Sequence, residues 1–160
     1  MDKRDIANQL VIELGKTLTL QDMTLNEQNY AALLFDDNIL LNMEYDAIQD
    51  RMMLYVYLDE LPIEGSEFLL RKLLAANFFW YRTQGATLSL EEETGGILIS
   101  YAHQLNDLDS GKFEDICNNF VQKASEWKNK ISEMKNQTQS NPDSKTTESA
   151  PPFQSNIQYV

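Results

Sequence analysis

The chain has 160 residues, 25 of them acidic and 13 basic, so the net charge is −12. At this length one domain is expected, and 42% apolar content is enough for a core. The acid excess argues against nucleic acid or an anionic membrane as partner, because phosphate recognition needs clustered Lys and Arg. The single cysteine, Cys117, excludes a disulfide framework and suits a reducing cytoplasm.

The first segment, Asp5 to Lys16, reads as a helix. Ile6, Leu10 and Leu14 recur at i+4 with Val11 beside them, and Gly15 is the expected C-terminal stop. Asp5, Asn8, Gln9 and Glu13 interrupt any signal-peptide core or membrane span. A soluble, cytoplasmic protein is therefore expected. Three short apolar runs follow, Tyr30–Phe35, Ile39–Tyr45 and Met52–Leu58, separated by turn residues such as Asp36-Asp37-Asn38. That spacing predicts an antiparallel meander. In the third run Met52, Leu54, Val56 and Leu58 alternate with Met53, Tyr55 and Tyr57, which suits a central strand covered on both sides.

Pro62 and Gly65 close this block, and a second helix is predicted from Gly65 or Ser66 to about Arg82, ended by Gly85. It carries two apolar stripes, Leu70-Leu74-Phe78-Tyr81 and Leu69-Leu73-Ala76-Trp80, with Phe79 widening the set and only Arg71 and Lys72 between. One sheet face cannot cover both stripes, and each large side chain left in water forgoes roughly 1.5–3 kcal/mol. A second copy of the same helix is the simplest cover, giving a homodimer; a helix held between the sheet and the third helix is the alternative. Two further strands are expected at Thr87–Glu91 and Ile97–Leu105. A third helix should run from Asp109 or Ser110 to about Met134. Its seam is Phe113, Cys117, Phe120, Ala124, Trp127, Ile131 and Met134. The order α-βββ-α-ββ-α is an α+β pattern, a twisted antiparallel five-stranded sheet with three helices.

From Lys135 to Val160 the chain is neutral, poor in apolar residues and holds three of the four prolines. The reading is a folded domain over 1–134 carrying the whole charge excess, and a disordered tail over 135–160.

Chemistry-bearing motifs are missing. His103 and Cys117 are the only residues of their kind, and Cys117 sits between Phe113 and Phe120 on an apolar seam. No HExxH, phosphate-binding loop or dinucleotide fingerprint occurs. Glu91-Glu92-Glu93 reads as a solvated acidic turn rather than a cation site. No enzymatic activity, cofactor or metal is expected.

The element order and three segments resemble the class I type III secretion chaperones, the Tir-chaperone-like family. The segments are Glu13-Leu14-Gly15, the pair Ile39-Leu40-Leu41-Asn42-Met43-Glu44 and Met52-Met53-Leu54-Tyr55-Val56, and Leu69-Leu70-Arg71-Lys72-Leu73-Leu74-Ala75-Ala76-Asn77-Phe78-Phe79-Trp80. The last resembles that family's Leu-x-x-Leu-Leu-x-Ala-Asn second helix. The resemblance implies a homodimer in the bacterial cytoplasm that binds the N-terminal segment of a secreted effector and keeps it secretion-competent. It also implies help in delivering that effector to the secretion apparatus; nucleic-acid binding and membrane insertion are not expected, on the charge and sequence pattern given above. The interface is then expected at Leu69, Leu73, Ala76, Phe78 and Trp80, and the cargo patch at Ile6, Leu10, Leu14, Leu33 and Phe35. The competing reading is a dimeric, non-enzymatic regulatory or sensor module with the same fold.

Overall fold

The computed structural model of the chain describes residues 2–139 and 157–160. Helix α1 (Lys3–Thr17) precedes strands β1 (Tyr30–Phe35), β2 (Ile39–Asp46) and β3 (Arg51–Glu60). Helix α2 (Ser66–Ala76), strands β4 (Thr87–Glu91) and β5 (Gly96–Gln104), helix α3 (Ser110–Gln139) and a terminal strand β6 (Ile157–Tyr159) follow. The expected α+β order is present. The strands form one antiparallel sheet in the order β4-β5-β3-β2-β1-β6, one strand more than the five expected.

The meander forms where turn chemistry permits it. Between β1 and β2, Asp36 and Asp37 adopt left-handed backbone (φ 50° and 53°), which Asp tolerates better than most residues and which tight hairpins require. Period-two alternation then sorts the side chains. Ala31, Leu33 and Phe35 of β1, Ile39, Leu41 and Met43 of β2, Met52, Leu54, Val56 and Leu58 of β3, and Ile97 and Ile99 of β5 are buried on one side. They form a single core with the buried residues of all three helices. The α3 seam lies in it: Phe113, Cys117, Phe120, Ala124, Trp127 and Ile131 are buried, and Met134 is partly so.

The central position expected of β3 is correct, but its cover is one-sided. Met53 and Tyr55, on the opposite face, are only half-buried, and Tyr57 is exposed. All three helices went to the other side, which carries Met52, Leu54, Val56 and Leu58. Tyr55 and Tyr57, each with an apolar ring and a polar tip, suit a half-wet face.

Two boundaries differ from expectation for packing reasons. Gly15 is not a helix stop. It lies inside α1, buried, and a Cβ there would come within 2.7 Å of the Met23 Cβ. Glycine is needed because the chain crosses α1 closely on its way to β1. At the other end, the expected break at residue 134 is absent: α3 continues to Gln139, and Lys135 Nζ donates to the Asp59 carboxylate at 2.9 Å. Of the expected disordered tail, residues 140–156 lie outside the described residues, while Ile157–Tyr159 is a strand. Composition averages over a segment; a short strand needs only an unpaired edge and one side chain that fits.

Replacing Gly15 by Ala should lower unfolding free energy by about 1–3 kcal/mol, because Met23 sits on backbone that cannot easily retreat. Urea denaturation followed by circular dichroism reads the change.

Candidate partner-binding surfaces

Helix α2 stops at Ala76, well short of the predicted Arg82, and the cause is Asn77. Its side-chain amide pairs with both backbone groups of Leu88: Nδ2 donates to the carbonyl at 2.9 Å, and Oδ1 accepts from the N–H at 2.9 Å. Asn77 thus stands in for a neighbouring strand on the outer edge of β4. The chain then turns through a short 3-10 segment, Phe78–Trp80, in which Phe79 and Trp80 have φ of 48° and 54°. Left-handed backbone costs roughly 1–2 kcal/mol per non-glycine residue. Trp80 is tethered by its indole N–H, which donates to Thr87 Oγ1 at 3.3 Å.

The result is an unpartnered aromatic ridge. Phe78, Phe79, Trp80 and Tyr81 are 68%, 65%, 52% and 81% exposed, and Leu74 on the outward side of α2 is 70% exposed. Phe78 and Phe79 touch each other, with ring centroids 4.4 Å apart, rather than the core. Strain and exposure at consecutive aromatics mark a surface shaped for a partner.

The sequence-based interface needs correction on this point. Leu69, Leu73 and Ala76 are buried in the chain's own core and offer no surface to a second copy. Of the five residues expected there, only Phe78 and Trp80 are exposed; Leu74, Phe79 and Tyr81 join them. Periodicity identified both stripes of α2, but only the packing of α2 against α3 and β4 decided which stripe turned inward.

The expected cargo patch is also corrected. Leu10, Leu14, Leu33 and Phe35 are buried, and Ile6 is half-buried. The connection from α1 to β1 folds back over the helix, burying Met23 and Leu25 beside it. Asn8 Oδ1 accepts the Leu25 N–H at 2.8 Å, and Arg4 Nε donates to Asn29 Oδ1 at 2.8 Å. Met23 and Leu25, apolar in an otherwise polar stretch, were the available signal.

The apolar surface that remains open is the second face of the sheet. Its centre is polar but satisfied. The Tyr30 hydroxyl donates to Asn42 Oδ1 at 2.7 Å, and Asn42 Nδ2 donates to the Tyr55 carbonyl at 3.1 Å. Burial holds the Tyr30 and Tyr55 hydroxyls above their ordinary pKa, so both stay neutral near pH 7. Leu34, Met53 and Leu98 are half-buried around this pair, and Leu40 and Tyr57 are exposed. Such a face accepts apolar side chains at its centre, with the exposed Glu44 beside Tyr30 and the Arg51–Asp46 ion pair at its margin.

Nucleophilic chemistry has no site at the residues where it was sought. Cys117 is buried, and loss of hydration pushes its thiol far above the ordinary range, away from the reactive thiolate. The Tyr101 hydroxyl and His103 Nδ1 lie 3.2 Å apart, and burial, helped by Lys112, lowers the imidazole pKa. Neither has an orienting carboxylate in a triad-like arrangement. The Glu91 carboxylate caps its own hairpin, accepting the N–H groups of Glu93 and Thr94 at 3.0 and 2.8 Å. Among the described residues no cluster of His, Cys, Asp or Glu is arranged to hold a metal ion, and no helix is long and apolar enough to cross a membrane.

The described residues thus form a small α+β domain with a one-sided sheet and an exposed aromatic ridge. A profile of the Tir chaperone protein (CesT) family matches residues 9–128, and the chain belongs to that family. Solved structures share the fold. The ExsC–ExsE complex contains a chain with a TM-score of 0.73 and 24% identity, the match covering 82% of this chain and 97% of that one. The HopA1–SchA chaperone–effector complex gives 0.65 and 16%, covering 83% and 98%. The Yersinia pestis type III secretion chaperone SycH, in complex with a fragment of YscM2, gives 0.59 and 17%, covering 74% and 97%. A comparison with curated protein sequences finds no match.

Replacing Asn77 by Ala leaves both Leu88 backbone groups unpaired at a part-buried site. The expected loss is about 1–3 kcal/mol of stability, read by urea denaturation.

Proposed function

We propose that this protein is a type III secretion chaperone. Acting as a homodimer in the bacterial cytoplasm, it holds the N-terminal segment of a secreted effector in a secretion-competent, non-globular form. The observation that carries the reading is the surplus of apolar surface on a small, highly charged chain: the aromatic ridge after α2 and the open face of the sheet. Family membership supports it, as do structural relatives named as a chaperone–effector complex, HopA1–SchA, and as a type III secretion chaperone, SycH. The chaperone performs no catalysis, and the work is binding alone.

The two surfaces divide the task. The ridge, from Leu74 to Tyr81, is assigned to the second copy of the chain, since it is compact, aromatic and continuous with the outward side of α2. The open sheet face and the edge beside it are assigned to the effector, whose extended backbone needs hydrogen-bonding partners and whose apolar side chains need pockets. The domain doing this spans 1–134 in the sequence reading and reaches Gln139 when the whole of α3 is counted. A net charge of −12 per chain keeps such exposed surface from drawing copies into larger aggregates.

Phe78→Glu should convert the dimer to a monomer in sedimentation at micromolar concentration while leaving the melting temperature nearly unchanged. Leu73→Glu should instead unfold the chain, because a carboxylate would be buried among apolar residues. A Phe78→Glu protein that stays dimeric would place the interface elsewhere. The functional test is co-expression of the wild-type chain with N-terminal fragments of secreted proteins from its own host. The expected result is a stable complex with a fragment that is insoluble alone. A strictly monomeric protein that captures none of them would overturn the reading.

A further inference from the structure

The two outer edges of the sheet are closed by different means. On β4 the closing group is the Asn77 side chain, which belongs to the same compact unit as α2. On β1 it is the chain's own C-terminus. Ile157, Gln158 and Tyr159 lie antiparallel to Phe35, Leu34 and Leu33, and the Val160 N–H donates to the Ala32 carbonyl at 3.3 Å. The Tyr159 hydroxyl reaches the Thr24 carbonyl at 3.3 Å, in the connection that covers α1. A stretch of 17 residues in the sequence, 140–156, separates β6 from the end of α3.

Among the described residues, β6 is held by this ladder, the Tyr159 hydroxyl and the Ile157 side chain. It is three residues long; Ile157 is half-buried against the core, whereas Tyr159 and Val160 are 40% and 59% exposed. Every other strand of the sheet is longer and is covered on at least one side. An edge held by so small an apolar contribution can be won by any strand that pairs as well and buries more. The pattern Ile-Gln-Tyr-Val, uncharged in its side chains and with Ile157 and Tyr159 on one face, also describes what the edge selects: an extended segment with apolar residues at alternate positions.

We propose that Ile157–Val160 is a self-supplied edge strand that occupies the binding edge of β1 and must be displaced by an extended segment of the partner protein. The proposal rests on the effector-binding reading for the identity of that partner. It makes the C-terminus an intrasteric gate: it blocks edge-to-edge association of the empty chaperone and sets an affinity threshold for cargo. A strand tethered in its own chain faces its edge at an effective concentration on the order of millimolar, so a free peptide of modest affinity should bind at least about tenfold more weakly while the tether is intact.

The probe is the chain's own terminal octapeptide, Phe153 to Val160, labelled with a fluorophore and titrated by anisotropy. A chain ending at Gln139 is expected to fold, melt within a few degrees of the full chain and bind the peptide. The full chain should bind it at least about tenfold more weakly. Gln158→Pro in the full chain removes a ladder donor and should restore binding, whereas the same change in the peptide should abolish it. Equal affinity of the full and shortened chains, or no binding by either, overturns the proposal. So does a shortened chain that fails to fold, since β6 would then be an obligate part of the sheet. Because the peptide reads the β1 edge alone, this result is distinct from failure to capture an effector fragment.

Discussion

Burial of one face of the sheet under α3 is the interaction on which the rest of the structure depends. The helix lays Phe113, Cys117, Phe120, Ala124, Trp127 and Ile131 across β2 and β3, and α1 and the inward stripe of α2 complete the same core. From Phe113 to Ile131 an α-helix rises roughly 27 Å, enough to cross the width of the central strands. With all three helices committed to that side, no helix is left for the other. The open face, the outward stripe of α2 and the aromatic ridge are what remain, and they are the surfaces a binding protein needs.

The sheet has to manage its margins as well as its face. Unpaired strand edges invite association with any extended chain. The Asn77 amide closes β4 by imitating a peptide group, and the same side chain ends α2 and throws Phe78–Tyr81 outward. Edge closure and presentation of the ridge are therefore one structural event. The β1 edge is closed by β6, which adds little burial of its own, so the two margins differ in how firmly they are shut. Strain follows the same division: the left-handed Phe79 and Trp80 lie on the ridge rather than in the core.

Binding in such a protein is carried by apolar area and backbone pairing rather than by reactive groups. The Tyr30–Asn42–Tyr55 arrangement illustrates the point. The Asn42 amide is satisfied by the Tyr30 hydroxyl and the Tyr55 backbone carbonyl, so this buried polar side chain costs the open face little.

The amino-acid sequence by itself determined the element order, the central place of β3 and the seam of α3, because each rests on periodicity or on turn residues that act locally. Asp36-Asp37 suits a tight turn between two apolar runs, and a 4-3 apolar repeat marks a helix face. Local pattern also detected that α2 had more apolar surface than one neighbour could cover. Which stripe of α2 turned inward was decided only by tertiary packing, because Leu69-Leu73-Ala76 and Leu70-Leu74-Phe78 are equivalent until α3 and β4 are in place. The same holds for the α1 face, which Met23 and Leu25 cover from a polar loop, and for Asn77, whose partner Leu88 lies eleven residues on in another strand. It holds most of all for Ile157–Tyr159, which composition assigned to disorder: an edge more than a hundred positions away in sequence supplied its hydrogen bonds.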